Sequence, residues 1–247
     1  AIGSFKGEWY RTRPSQNQGN TMKLQGVMFD LDGTLGNTLP VVFEAFQRTL
    51  LEFLGHHYTD RDIRALFGPS EEGIFQQLVP EQWQACLQTY LAAYDEIHAQ
   101  YAQPFPGIED ALQLLKQCGV PLAIVTAKGH HSAAISLRHL GLAHYFDAVE
   151  TGTAEGAVKP MFIRKVLARW GAPSGQVAYV GDAAYDMEAA WEAGVIPLGA
   201  AWAATADADR LERLSPRATF RSVESFIEWI NVNVEPKEVE PSGERER

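Results

Sequence analysis

Two aspartates, Asp30 and Asp32, stand two residues apart at the end of a short apolar run in the segment GVMFDLDGTLGN, residues 26–37. Side chains two positions apart on an extended chain point to the same side. Two carboxylates held this close repel each other unless a cation lies nearby. The glycine and threonine that follow break the apolar pattern and predict a turn out of the strand. The spacing therefore predicts a carboxylate pair that faces a cation.

Further polar side chains follow two other apolar runs, PLAIV and VAYV, which are also typical of buried strands. They are Thr126, Lys128, Asp182 and Asp186, and one more lysine, Lys159, precedes a predicted helix. An aspartate after a strand often serves only as a helix cap. Four carboxylates on one sheet edge, however, would destabilise that edge unless a divalent metal and a lysine lay among them. Oxygen ligands of this kind suit Mg²⁺, so the sequence predicts a magnesium site.

The elements that must position these residues follow from the hydrophobic pattern. After residue 104, short apolar runs alternate with helical periodicity, whereas the chain between the first apolar run and residue 104 is typical of helices alone. Repeated βα units with apolar strands predict a Rossmann-like α/β fold, in which a parallel sheet has helices on both faces. An all-helical cap is then inserted after the first strand. In such folds ligands bind at the carboxyl ends of the strands, where the polar residues above are placed.

The same patterns divide the chain into predicted domains. Residues 22–36 and 105–232 are expected to form the α/β catalytic core, and residues 37–104 the helical cap. Residues 1–21 are polar and lack the apolar core of a signal peptide, so we interpret them as a disordered leader or extension. Residues 233–247 are charged and contain proline, which predicts a disordered tail.

The composition limits the classes of partner. The chain carries 31 acidic and 21 basic residues, and its net charge of −10 argues against a nucleic-acid partner. No apolar run reaches the roughly 18 residues expected of a membrane span. The two cysteines, Cys86 and Cys118, are too few for a disulfide framework and indicate a reducing compartment. We therefore expect a cytoplasmic protein that acts on a small molecule, and the sequence does not predict its oligomeric state.

Four segments of the chain resemble the motifs of one enzyme family. FDLDGTL is similar to the first motif of the haloacid dehalogenase-like superfamily, in its phosphatase branch. IVTAK resembles the second motif, the lysine of VKP the third and GDAAYD the fourth, and all four occur in the family's order over residues 27–186. The helical insertion resembles the α-helical cap of phosphoglycolate phosphatase-like and β-phosphoglucomutase-like members.

The resemblance implies a catalytic role for each motif. Asp30 would be the nucleophile that takes the phosphoryl group as an aspartyl phosphate. Asp32 would protonate the leaving oxygen and would then activate the water that hydrolyses the intermediate. Thr126 and the backbone amide of Ala127 would hydrogen-bond the transferring phosphoryl group. Lys159 would neutralise charge on Asp30 and on that group.

The resemblance also implies a set of ligands for Mg²⁺. The carboxylates of Asp30 and Asp182 and the backbone carbonyl of Asp32 would hold the ion. Asp186 would contribute through a water molecule or by positioning Lys159. One aspartate of the first motif would thus stay ionised on the metal while the other carries a proton.

Substrate recognition is expected from four residues. Ala127 and Lys128 belong to the second motif, whereas Asn37 and Arg64 belong to the cap. Asn37 stands at the hinge into the cap, at a position at which many relatives carry an acidic residue. We expect the loss of charge there to affect cap closure or substrate contact, and with it substrate specificity. The cap segment LFGPSEEG, residues 66–73, predicts a tight turn before a helix whose first N–H groups suit an anion.

The expected function is Mg²⁺-dependent hydrolysis of a small phosphomonoester. Phosphoglycolate, a sugar phosphate, a nucleotide monophosphate and inorganic pyrophosphate remain open as substrates. A sugar phosphomutase of the same fold is the main alternative, followed by a phospho-receiver-like or non-catalytic binding protein. Asp32 argues against a dehalogenase, and the lack of any lysine between Asn37 and Gln103 argues against a phosphonate hydrolase.

Overall fold

The computed structural model describes residues 23–101, 103–156 and 158–235. The predicted leader at residues 1–21 and nearly all of the predicted tail lie outside these ranges. The last helix ends at Asn233, and the side chain of Val234 is buried. The described fold therefore continues just past residue 232, where the core was predicted to end.

Short apolar runs form a six-stranded parallel sheet. The strands are β1 (Gly26–Phe29), β2 (Leu122–Val125), β3 (Ala148–Glu150), β4 (Val177–Gly181), β5 (Ile196–Ala200) and β6 (Ala218–Phe220). Their order in the sheet is β3-β2-β1-β4-β5-β6, which places β1 between β2 and β4 at the centre. All residues of these three strands are buried, as expected of strands covered on both faces.

Helices cover both faces of this sheet. They are α5 (Ile108–Gln117), α6 (His130–Leu140), α7 (Lys159–Trp170), α8 (Ala184–Ala193), α9 (Ala208–Arg213) and α10 (Val223–Asn233). Within β1, Val27 and Phe29 join an apolar cluster with α5, α6 and α10, whereas Met28 joins a second cluster with α7 and α8. This alternation is the period-two pattern of a strand between two layers. The predicted α/β fold is therefore confirmed.

Four further helices lie between β1 and α5. They are α1 (Leu39–Leu54), α2 (Asp60–Leu66), α3 (Glu71–Leu78) and α4 (Trp83–Tyr101). They pack around their own apolar cluster, in which the rings of Phe46 and Tyr90 lie 4.6 Å apart and those of Phe46 and Phe75 lie 5.4 Å apart. None of the helices in the described ranges is long and apolar enough to cross a membrane.

Two chain segments connect these four helices to the sheet, and they run side by side. Gly36 and Pro104 form an isolated antiparallel bridge, and the N–H of Asn37 donates to the carbonyl of Gln103 at 3.3 Å. The side chain of Asn37 is exposed at this junction. A movement of the helical segment against the sheet would therefore bend the chain at two adjacent points.

Candidate active site

A cavity of about 390 Å³ lies between the carboxyl ends of the strands and the cap helices. It is lined by eight of the residues that the sequence marks as site residues, which are Asp30, Asp32, Arg64, Thr126, Ala127, Lys128, Lys159 and Asp182. Asp186 is buried behind Lys159, and Asn37 does not line the cavity. The topology of the sheet thus brings together residues as far apart in the chain as Asp30 and Asp182, as the carboxyl ends of parallel strands do.

Lys159 is the cation that the first aspartate faces. It lies in the first turn of α7, and its Nζ is 2.9 Å from Asp30 Oδ2 and 2.5 Å from Asp186 Oδ1. Asp30 itself is fixed at the end of β1, because its N–H donates to the carbonyl of Val180 in β4 at 2.9 Å. The other carboxylate oxygen of Asp30, Oδ1, is buried and accepts no hydrogen bond from the described residues. One oxygen is therefore held by the lysine and the other is left for a ligand.

Both oxygens of Asp186 already have partners. Oδ1 accepts from Lys159 and from the hydroxyl of Tyr179 at 3.3 Å, while Oδ2 accepts from the N–H of Ala183 at 2.9 Å. The residue is fully buried at the start of α8. A carboxylate with both oxygens engaged in this way is better suited to orient Lys159 than to bind a cation directly.

Asp182 approaches Asp30 from the end of β4. Its Oδ1 accepts a hydrogen bond from Thr34 Oγ1 at 3.2 Å. Gly33 lies against the same carboxylate with φ +78°, and a Cβ on Gly33 would overlap Asp182. Only glycine combines this left-handed backbone with so close an approach. The turn after the first motif thus requires Gly33, and Thr34 in the same turn orients Asp182.

The three carboxylates at this edge carry more negative charge than Lys159 neutralises. Oxygens of Asp30, Asp182 and Asp186 lie within 4.8 Å of one another. Burial raises the pKa of Asp30 to about 6; Lys159 opposes this rise and Asp186 adds to it. Burial, followed by the charges of Asp186 and Asp30, also raises the pKa of Asp182 well above its ordinary value. Two adjacent carboxylates, of which Asp30 is buried with an unpartnered oxygen, offer hard donor atoms that fit a divalent cation such as Mg²⁺.

Asp30→Asn is expected to change how the stability of the metal-free protein depends on pH. The pKa of Asp30 is about 6 in the fold and about 3.9 in an unfolded chain. The folded state therefore binds more protons between these two values, and wild-type stability falls as pH rises through that window. Across this window the free energy of unfolding of the wild type falls by about 3 kcal/mol. Asp30→Asn lacks the titrating group, so its stability should not show this fall.

The measurement is urea denaturation in the presence of a chelator at about pH 4 and about pH 7.5, below and above most of this window. The stability of Asp30→Asn relative to the wild type should increase between the two pH values. A constant difference between the two proteins would contradict a raised pKa at Asp30.

Asp32 contacts a different pair of residues, Thr38 and Lys128. Its Oδ1 accepts from the hydroxyl of Thr38, the residue before α1, and its Oδ2 lies 3.1 Å from Lys128 Nζ. Thr38 is fully buried and Asp32 is partly exposed to the cavity. The two carboxylates of the first motif therefore have separate cations, Lys159 for Asp30 and Lys128 for Asp32. This separation suits two different chemical roles.

Lys128 is a buried lysine rather than a solvated one. Only 2% of its side chain is exposed, and its ammonium lies 4.4 Å from the ring centroid of Tyr94. Burial lowers its pKa, but Asp32 and the hydroxyl of Tyr94 more than compensate, so that its pKa stays well above the ordinary value. Its ammonium is also 3.7 Å from a carboxylate oxygen of Glu71. Lys128 thus contacts both the catalytic edge and the cap.

Glu71 is a site residue that the sequence patterns did not identify. It is the first residue of α3 in the cap, yet its Oε2 accepts from the N–H of Gly129 at 2.7 Å and its Oε1 accepts from the hydroxyl of Ser132. Gly129 precedes α6 and Ser132 lies in its first turn. The carboxylate of Glu71 in the cap therefore lies at the N-terminus of a core helix, where the helix dipole is positive. The LFGPSEEG segment predicts the start of the helix at which Glu71 lies, but not the contact of its carboxylate with α6.

Glu71→Ala is expected to loosen the contact between the cap and α6. The substitution leaves the N–H of Gly129 and the hydroxyl of Ser132 without their carboxylate, which costs roughly 1–3 kcal/mol of unfolding free energy. Hydrogen exchange should also become faster at the amides of residues 129–133. The matched control is Glu72→Ala, which removes the neighbouring acidic residue of the same helical turn. Equal stability and equal exchange in the two variants would contradict the contact.

The second motif places its hydroxyl and amide at the end of β2. Thr126 is anchored by its N–H, which donates to the carbonyl of Glu150 at 3.0 Å, and its Oγ1 accepts from the N–H of Lys128 at 3.3 Å. Thr126 and Ala127 both line the cavity, together with Asp30 and Asp32. Their positions allow a hydroxyl and a backbone amide to hydrogen-bond an oxyanion bound at Asp30.

Comparison with known proteins identifies the family. Residues 27–200 match the family model described as haloacid dehalogenase-like hydrolase. The pyrophosphatase PpaX of Anoxybacillus flavithermus is 32% identical over 183 residues, which are 73% of this chain and 85% of that protein. PpaX of Halalkalibacterium halodurans is 28% identical over 85% of this chain and 99% of its own length.

Solved structures agree with this assignment. A haloacid dehalogenase-like hydrolase from Streptococcus pneumoniae superposes with a TM-score of 0.68 at 26% identity, over 84% of this chain and 98% of that one. A predicted phosphoglycolate phosphatase from Haemophilus somnus has the same fold, with a TM-score of 0.71 at 21% identity over 83% and 97% of the two chains. The chain therefore belongs to the haloacid dehalogenase-like hydrolases and is a phosphatase of that family.

Proposed function

We propose that the protein is a Mg²⁺-dependent phosphatase that hydrolyses a small-molecule phosphomonoester through an aspartyl phosphate on Asp30. The observation that supports this most is the arrangement around Lys159. The lysine holds Asp30 Oδ2 at 2.9 Å, while Asp30 Oδ1 has no hydrogen-bond partner in the described part of the chain. Asp30 lines the cavity with its carboxylate fixed by Lys159, which suits attack on phosphorus, while the unpartnered Oδ1 remains available to a metal ion.

The first half of the proposed reaction transfers the phosphoryl group to the protein. Asp30 attacks phosphorus, and the bond between phosphorus and the leaving oxygen breaks. Asp32 gives its proton to that oxygen, with its carboxyl group positioned by Thr38 and Lys128. The hydroxyl of Thr126 and the N–H of Ala127 hydrogen-bond the phosphoryl oxygens, whose charge Lys159 offsets.

The second half regenerates the nucleophile. Asp32, now ionised, takes a proton from a water molecule, whose oxygen attacks phosphorus. The bond between phosphorus and Asp30 breaks, and inorganic phosphate is released. The cap closes the cavity while the ester is bound, which keeps bulk water out until the intermediate has formed.

The carboxylates of Asp30 and Asp182 and the backbone carbonyl of Asp32 would hold the Mg²⁺ ion. When bound, the ion supplies positive charge that offsets the phosphoryl oxygens. Asp186 acts in this proposal by positioning Lys159, since both of its oxygens already accept hydrogen bonds.

The substrate is proposed to be a small phosphorylated metabolite in the cytoplasm. The net charge of −10 makes a nucleic-acid partner unfavourable. Both cysteines, Cys86 and Cys118, are free thiols, which supports a reducing compartment.

Metal removal tests the proposed function. Phosphate release from a panel of phosphometabolites should fall at least roughly 100-fold when EDTA replaces Mg²⁺. Without substrate, Mg²⁺ at about 100 times its dissociation constant should stabilise the wild type by about 2.7 kcal/mol. Asp182→Asn should lose most of that stabilisation. Turnover that does not depend on metal would contradict the proposal, and isomerisation of β-glucose 1-phosphate without phosphate release would instead support a mutase.

A further inference from the structure

The cap side of the cavity is largely apolar. Its lining there consists of Leu39, Val42, Phe46, Phe67, Pro69 and Ile74. These residues face the charged edge formed by the catalytic carboxylates and lysines. A leaving group that reaches this wall is stabilised by burying apolar surface. An inorganic leaving group, whose oxygens need hydrogen-bond donors, would instead lose hydration there without replacement.

The lysines in the cavity are already neutralised. Lys159 contacts two carboxylates, Asp30 and Asp186, and Lys128 contacts two others, Asp32 and Glu71. One further cation lines the cavity, Arg64, and it forms no ion pair with any described residue. A second phosphate next to the reacting one would therefore find little uncompensated positive charge at the charged edge. An anionic group that reaches the cap would find Arg64.

Arg64 is an exposed residue whose guanidinium contacts one aromatic ring. Its guanidinium carbon lies 4.9 Å from the ring centroid of Phe43, and Phe43 stacks on Phe67 with a centroid distance of 6.2 Å and an interplanar angle of 4°. Phe67 is 43% exposed and lines the cavity. A guanidinium that lies over a ring keeps its N–H groups free for a planar anion, which it binds with two parallel hydrogen bonds.

The size of the cavity agrees with an organic ligand. Its volume of about 390 Å³ falls within the range of about 300–1,000 Å³ that is typical of sites for small organic molecules. Such sites are mainly apolar with a few convergent polar groups, as is the case here.

From this geometry we infer that the substrate is an organic phosphomonoester whose leaving group has an apolar body, bound against Val42, Phe67 and Ile74, and a second anionic group, bound by Arg64. This inference rests on the proposed phosphatase function and specifies the class of its substrate. It places inorganic pyrophosphate and phosphoglycolate, which lack an apolar body, among the poor substrates. Arg64 acts as a specificity-determining residue.

The test compares matched aryl phosphates. One probe is 4-(carboxymethyl)phenyl phosphate, and the second is its neutral primary amide, which has the same shape and a similar leaving oxygen. Inorganic pyrophosphate, phosphoglycolate and p-nitrophenyl phosphate complete the set. Each is assayed for phosphate release with Mg²⁺ in the wild type, in Arg64→Gln and in Arg61→Gln, a control that removes an exposed arginine of the same helix outside the cavity lining.

The wild type should favour the carboxylate over the amide by about tenfold in kcat/KM, the value expected of one charge-assisted contact. Arg64→Gln should bring this ratio close to one, and Arg61→Gln should leave it unchanged. The inference is overturned if pyrophosphate or phosphoglycolate has the highest kcat/KM, or if Arg64→Gln leaves the ratio intact. If none of the five compounds releases phosphate, the proposed function itself fails, and the inference fails with it.

Discussion

Asp30→Asn should abolish turnover of every ester that the wild-type protein hydrolyses, lowering kcat by roughly 10⁴-fold or more. An amide oxygen carries no negative charge with which to attack phosphorus, so the covalent route through Asp30 is closed. The asparagine side chain has nearly the same size and fits the same buried position at the end of β1. Lys159 keeps its contact with Asp186 in this variant, which should preserve the shape of the cavity.

Two measurements separate this loss of chemistry from a loss of structure. Steady-state phosphate release gives the change in kcat, and acid quenching with isotope-labelled substrate tests for a labelled peptide that contains Asp30. The wild type should yield the labelled peptide and Asp30→Asn should not. Asp110→Asn, which neutralises an exposed carboxylate on α5, is the control and should keep full activity. Labelling of Asp30→Asn at another residue would contradict the assignment of the nucleophile.

The core of the site could be predicted because its residues stand at strand ends. A short apolar run bounded by turn residues marks a buried strand. In parallel sheets, ligands bind at the carboxyl ends of the strands. This rule alone predicts that Asp30, Thr126 and Asp182 lie at one edge of the sheet. Both the strands and the meeting of these residues follow from local patterns. The cavity that they line is the observed counterpart of that prediction.

The contacts between the cap and the core could not be predicted in this way. Glu71 reaches Gly129 and Ser132 across 58 and 61 positions of sequence, respectively, and its own segment shows only an ordinary acidic start to a helix. In the sequence, Lys128 resembles a solvated loop lysine. Its burial depends on contacts with Asp32 and Tyr94, which lie in other parts of the chain. Such contacts depend on how two layers pack, and hydrophobic periodicity carries no information about that packing.

Asn37 illustrates the limit of reasoning from a motif. Its departure from the family pattern suggested a role in cap closure or in substrate contact. Its side chain is exposed and does not line the cavity. Its backbone is paired with Gln103 at the junction of the cap and the sheet. The next residue, Thr38, is the one that contacts Asp32. The motif thus located the correct turn but could not tell which side chain of the turn faces inward.

Asp32→Asn should slow the esters with poor leaving groups most, by about 10²–10⁴-fold. An alkoxide is a poor leaving group unless it is protonated as the bond to phosphorus breaks, and asparagine cannot supply that proton. A p-nitrophenolate leaves without protonation, so the first half of its reaction should be nearly normal. Asparagine can still accept the hydrogen bond from Thr38 through its amide oxygen, which limits the change in geometry.

The two halves of the reaction give two independent readouts of this variant. A plot of single-turnover rate against the pKa of the leaving alcohol should be steeper for Asp32→Asn than for the wild type. With p-nitrophenyl phosphate, the variant should release a burst of p-nitrophenol and then turn over slowly, because the same missing carboxylate can no longer activate water. A uniform loss across all esters without a burst would assign Asp32 to binding instead of proton transfer. Only a group that works as acid and then as base produces both effects, since each follows from a different step of one cycle.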